Sequence, residues 1–174
     1  MQKVIKYVIF QTKWGYFGLA GTKSALYRTQ LPGPELKIIE SRLLKNLPGA
    51  QFDVTFFKIL QENIAAYFEG SYVNFSPNIP VVLDGFGGFS REVLTACREI
   101  EFGQRITYSG LAQKAGRPAA SRAVGNALAK NPLPLIIPCH RVLRTDGKMG
   151  GFSAPGGRSF KKRLLALEHK ALKA

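Results

Sequence analysis

The chain is poor in cysteine and histidine, with only two of each among its 174 residues. Two thiols, Cys97 and Cys139, could make at most one bridge, too little to staple a secreted domain of this size, so both are read as free. Together with His140 and His169 they follow no ligand spacing, and neither a metal site nor a cofactor site is expected. Long apolar runs are missing too. The longest, residues 7–10 and 133–137, fall far short of the roughly 20 residues a membrane span needs. After Lys3 and Lys6 the apolar stretch ends at Gln11, which makes no secretory h-region. A cytoplasmic protein is expected, or a nuclear one if the source is a eukaryote. Acid is scarce as well: 11 Asp and Glu stand against 25 Lys and Arg, a net charge of +14, which suits a protein that meets a polyanion.

What is present is globular. Apolar residues make up 45% of the chain and charged ones 21%, enough for one domain of ordinary size or two small ones. The charge is uneven: residues 1–85 carry 9 basic and 6 acidic side chains, residues 86–174 carry 16 and 5. The basic half is dispersed and ends in Lys161-Lys162-Arg163, so it reads as a folded cationic surface and not a tail.

β-formers around turn residues predict an antiparallel meander over 4–10, 16–20 and 25–29. Apolar spacing predicts helices over 35–46 and 55–69, then a strand at 81–83. The glycine-rich segment from Asp84 to Gly88 marks a domain boundary, because charge density changes there. Beyond it, Phe89, Val93, Cys97 and Ile100 give one apolar helix face, with Cys97 a core thiol. Thr107 is placed to cap a helix at 108–115 that Gly116 stops. Arg117-Pro118 opens a second helix reaching about residue 130. Two short helices around a glycine turn resemble a helix-turn-helix. Ala119, Ala123 and Ala127 recur every four residues beside Arg122; this small-residue stripe fits either tight helix packing or a helix approaching nucleic acid with one projecting arginine.

The run from Asn131 to Val142 places Cys139-His140 directly after an apolar segment, predicted as a strand, that ends in proline. A thiol becomes nucleophilic when a neighbouring base or charge lowers its pKa. On an extended strand adjacent side chains point apart, so His140 reaches Cys139 only if the chain turns there or a water bridges them. Taken alone, the dipeptide also fits a buried thiol beside a surface histidine.

The whole run, with Arg105-Ile106-Thr107-Tyr108, Leu111-Ala112, Ala115-Gly116 and Ser121-Arg122-Ala123-Val124-Gly125 upstream and Leu164 to Glu168 downstream, resembles the O6-alkylguanine-DNA alkyltransferases. The similarity covers residues 81–169. It implies an α+β fold, with a ribonuclease-H-like antiparallel sheet and helices over residues 1–84 and an all-α, winged-helix-like helix-turn-helix domain over residues 85–174. It also implies DNA repair in which an alkyl group moves from guanine O6, and by extension thymine O4, to the protein's own cysteine. Cys139 is then the acceptor, His140 its base through a water, and Glu168 the group that orients the imidazole. Tyr108 would donate to a guanine ring nitrogen, and Asn131 would tie the recognition helix to the active-site turn. Pro134, Val142, Ser153 and Leu128 would form the base pocket. Arg122 would fill the gap left by a flipped base, with Thr107, Ala119, Ala123, Gly125 and Ala127 facing the minor groove of double-stranded DNA with little sequence specificity. A monomer is expected.

This chain departs from the family pattern in two places. The loop from Gly150 to Gly157 is two residues longer than the usual form, and Glu101 stands where proline is common. Two other classes compete, an alkyltransferase-like protein that binds lesions without repairing them and a helix-turn-helix regulator. The binding-only relatives lack the cysteine present here at 139, and a regulator would more often carry a long apolar dimerisation seam.

Overall fold

The computed structural model describes residues 3–75 and 77–174. The chain divides into two compact units, Met1–Val82 and Leu83–Ala174. Both contain helix and strand, an α+β architecture.

In the first unit β1 (Lys6–Thr12), β2 (Gly15–Thr22) and β3 (Ala25–Gly33) form the expected meander. The two-residue β4 (Gln51–Phe52) adds parallel to β1, giving the order β3-β2-β1-β4. The sheet is therefore mixed and not purely antiparallel. A two-residue strand with both residues exposed leaves no alternation to read. Helix α1 (Leu36–Leu43) packs on β2 and β3, and α2 (Lys58–Glu69) on β1. The expected helix start at residue 55 moves to 58 because Phe57 adopts a left-handed conformation, φ 50°, which breaks helical hydrogen bonding. Residues 81–83 contribute only a bridge from Val81 to Leu26.

The core of this unit joins Phe17 and Leu19 of β2 to Ile39 and Leu43 of α1 and to Ile64, Tyr67 and Phe68 of α2, all fully buried. Gly18 lets α1 approach closely, since a Cβ there would lie 2.8 Å from Leu43 Cδ2. Arg28 Nη1 donates to the carbonyls of Leu43 at 2.8 Å and Lys45 at 2.5 Å, satisfying acceptors that the end of α1 leaves open.

The second unit packs α3 (Gly88–Arg98), α4 (Tyr108–Lys114) and α5 (Ser121–Ala129) around Val93, Leu94, Cys97, Leu111, Ala112, Val124 and Leu128. It is not all-α, because β5 (Ile106–Thr107) pairs in parallel with β6 (Val142–Leu143). The second helix of the pair begins at Ser121 and not at Pro118. Pro118 instead occupies a turn closed by Ala120 N–H donating to Arg117 O at 3.0 Å, a position that suits its fixed φ. Ala119 thus lies outside α5, and Ala127 is buried, so the three alanines form no common exposed stripe. Exposed Arg122 and Ala123 face solvent.

The apolar run at 133–137 is not a strand either. Ile137 N–H donates back to Leu133 O at 2.8 Å, and Leu135 takes a left-handed φ of 77°. Prolines 134 and 138 supply no amide to a ladder. The long α6 (Gly157–Leu172) closes the unit. No helix among the described residues is long and apolar enough to cross a membrane.

Replacing Leu43 by Ala should open a cavity beneath Gly18 and cost about 3 kcal/mol in urea denaturation. A loss below about 1 kcal/mol would contradict the seating of α1 on the sheet.

Candidate active site

Asn131 builds the turn that carries the thiol. Its Oδ1 accepts from Leu133 N–H at 3.0 Å while its Nδ2 donates to Ile137 O at 2.9 Å, locking the 131–137 loop. The chain then makes one 3-10 turn, Cys139–Arg141, closed by Arg141 N–H donating to Pro138 O at 2.9 Å. The turn replaces the extended strand on which adjacent side chains would point to opposite faces. Cys139, His140 and Arg141 are all buried, at 9%, 1% and 3% exposure.

Helix α6 brings Glu168 to the same place. Phe160, Leu164 and Leu165 bury one face of the helix, and Glu168, one turn beyond Leu164, shares it. Its Oε1 lies 2.7 Å from His140 Nε2. Arg141 Nε donates to both carboxylate oxygens at 3.1 and 3.2 Å, and Nη2 donates to Oε1 at 2.8 Å. Gly103 N–H donates to Oε2 at 3.3 Å. Arg141 Nη1 in turn donates to Ile100 O at 2.6 Å.

These contacts fix protonation states. Burial works against the Glu168 charge, but hydrogen bonds from His140 and Arg141 prevail and bring its carboxyl down to about 2. Burial pulls His140 below the ordinary imidazole value, and Glu168 offsets only part of that effect. The pair is therefore an ionised carboxylate and a neutral imidazole. Nε2–H donates to Glu168, which leaves Nδ1 with a free lone pair. Burial also pushes the Cys139 thiol up, opposed by the Asn131 side chain and by the Lys161 charge.

Lys161 is fully buried. Its Nζ donates to Val142 O at 2.6 Å and lies 5.8 Å from the centre of the Tyr108 ring. Tyr108 opens α4, whose N-cap is Thr107; the Thr107 hydroxyl accepts from Gly110 N–H at 3.0 Å. Burial raises the Tyr108 phenol, so it keeps its proton and can donate.

A cavity of about 450 Å³ lies over Cys139, lined by Tyr108, Gly125, Leu128, Ser153 and the backbone of Gly150 and Gly151, among others. That is room for a flat heterocycle. A Cβ at Gly150 would meet the Tyr108 hydroxyl and ring edge, so a larger residue there would displace Tyr108 from this wall. Phe152 also lines the cavity and stacks on Phe160, with centroids 6.4 Å apart.

Of the residues singled out from sequence, Cys139, Tyr108, Gly125, Leu128 and Ser153 meet at one cavity, while His140 pairs with Glu168 and Asn131 holds the loop that precedes the thiol. Pro134 and Val142 are not among the lining residues; the Val142 carbonyl faces Lys161 instead. Arg122 and Ala123 lie on the exposed side of α5, whereas Ala127 points into the core. Sequence reasoning missed Arg141, Lys161 and Gly150. Arg141 and Lys161 read as surface cations because only folding reveals what they neutralise, although Arg141 adjoins the Cys-His pair.

Among the described residues no group of three or more His, Cys, Asp or Glu could hold a metal ion. Residues 88–170 match the family model described as 6-O-methylguanine DNA methyltransferase, DNA binding domain. The rat methylated-DNA–protein-cysteine methyltransferase is 48% identical over 81 residues, 46% of this chain and 38% of that one. The Methanothermobacter thermautotrophicus protein of that name is 42% identical over 118 residues, 66% of this chain and 62% of its own. These matched stretches span less than two thirds of either relative. A crystal structure of Mycobacterium tuberculosis OGT in complex with DNA superposes with a TM-score of 0.78 at 29% identity, covering 95% of this chain and 94% of that one. The Methanosarcina acetivorans methylated-DNA–protein-cysteine methyltransferase aligns at 33% identity over 93% of this chain and 97% of its own length. With a relative matched along nearly its whole length, the chain belongs to the methylated-DNA–protein-cysteine methyltransferase family.

Proposed function

We propose that the protein repairs duplex DNA by moving an alkyl group from guanine O6 to Cys139, where it stays. The observation that carries this reading is the Cys139 thiol at a base-sized cavity, backed by a neutral imidazole hydrogen-bonded to an ionised carboxylate.

His140 Nδ1 takes the thiol proton through a water, in the manner of an oriented general base. The thiolate attacks the alkyl carbon, the S–C bond forms, and the O6–C bond breaks with its electron pair left on guanine. Tyr108 O–H donates to a ring nitrogen as that negative charge develops, and the base takes up a proton to become ordinary guanine. The product is a thioether, whose S–C bond is not broken under the conditions that form it, so each molecule acts once. Asn131 serves as a positioning residue, since it holds the turn.

The target atom lies inside a duplex, so the nucleotide must flip out. Exposed Arg122 on α5 is suited to fill the space, with Ala123 and Gly125 letting the helix approach the minor groove and little sequence read there. In the same reading the first unit is ribonuclease-H-like, the second a winged-helix variant, and the protein acts as a monomer. It works where the DNA is, in the cytoplasm or, in a eukaryote, the nucleus.

Incubation with a duplex containing O6-methylguanine should add one methyl per molecule, mapped by mass spectrometry to Cys139. Cys139→Ala should gain none yet bind the duplex as tightly. Sustained turnover, or a methyl elsewhere, would contradict the mechanism. Arg122→Ala should slow reaction with methylated duplex by about tenfold to a hundredfold, since flipping costs a few kcal/mol. Its reaction with free O6-benzylguanine, which needs no flipping, should match the parent. Equal loss on both substrates would show that Arg122 shapes the pocket instead.

A further inference from the structure

A second cavity, of about 430 Å³, opens onto Glu168 and is not the one over Cys139. Arg105, Lys162 and His169 stand around it, and all three are exposed. Among the described residues none of them has an ion-pair partner. The one carboxylate in the cavity, Glu168, is already taken up by His140, Arg141 and the Gly103 amide. It has little left to offer a cation, and the unspent charge at the rim is positive.

The charge continues along α6 to Lys173, the residue that caps its C-terminal end. Arg158, Lys162, Ala166, His169 and Lys173 follow one another at intervals of four, four, three and four residues, all exposed. That spacing keeps them on one helix face. At 1.5 Å per residue the stripe runs about 22 Å, several times the reach of one phosphate, with small Ala166 at its middle.

We propose that this face of α6, together with Arg105, is a further contact surface for a nucleic-acid phosphodiester backbone, separate from α5. The length of the stripe favours a linear polyanion over a single anion. The position of Ala166 allows a backbone to lie close to the helix. The proposal rests on duplex DNA being the substrate. Transfer and binding are read separately, so that failure of the one is not mistaken for failure of the other.

The test is the salt dependence of binding to undamaged duplex, for the parent and for the full-length variant Arg105→Gln, Lys162→Gln, Lys173→Gln. Each lost phosphate contact lowers the slope of log K against log salt by about 0.9, so the variant should bind with a slope shallower by about 2 to 3. Its rate with free O6-benzylguanine should equal the parent's, because none of the three residues touches the reacting groups. An unchanged slope overturns the proposal. A slower free-base reaction would also overturn it, showing that these residues support Glu168 and not DNA. The His169 ring resonance should move with undamaged duplex but not with inorganic phosphate at the same phosphate concentration; an equal response would mean a single-anion pocket.

Discussion

The second unit depends on keeping one carboxylate charged where almost no water reaches it. Burying an ion without partners costs several kcal/mol, and Glu168 meets that cost with donors from His140, Arg141 and the Gly103 amide. Those donors come from two different parts of the chain and Glu168 from a third. The loop after α3, the 3-10 turn and α6 are thereby held against one another, and the Arg141 bond to Ile100 O doubles the tie. Removing a partner from such a cluster should be costly, because it strands a buried charge.

The same cluster sets the chemistry. A carboxylate that stays ionised favours Nε2 as the protonated imidazole nitrogen, and burial keeps the ring neutral. The basic lone pair is left on Nδ1, the nitrogen not used by Glu168. Burial alone would leave the Cys139 thiol protonated and inert. Asn131 and Lys161 reduce that handicap, and in the proposed function the imidazole would take the proton that remains. A protein that only bound lesions would not need this relay, and a transcriptional regulator would not need the cavity beneath which it lies.

The candidate site residues were more legible in the sequence than the geometry that holds them. Cys139, His140 and Glu168 could be named because the family resemblance runs through the 131–142 stretch and again through residues 164–168. The 133–137 run misled because a fully buried loop and a buried strand have the same composition; the difference lies in Leu135 φ and in two bonds made by Asn131. The alanine stripe misleads because Pro118 sits in a turn before α5, which leaves Ala119 outside the helix. Ala127 then belongs to the core, as the bland packing reading had allowed. Lys161 and Gly150 carry no local pattern. One is a cation whose partners are a carbonyl and a ring, and the other is a glycine whose need appears only when the Tyr108 hydroxyl is seen against it.

The central claim is that His140 waits as a neutral base held by an ionised Glu168. Nitrogen-15 NMR of the imidazole ring tests it most directly, with only two histidines in the chain to assign. Because burial lowers the His140 value below that of a free imidazole, the ring should remain neutral from about pH 8 down to about pH 6.5, with Nε2 protonated and Nδ1 bare. A ring that is doubly protonated near pH 7, or that carries its proton on Nδ1, would contradict the account.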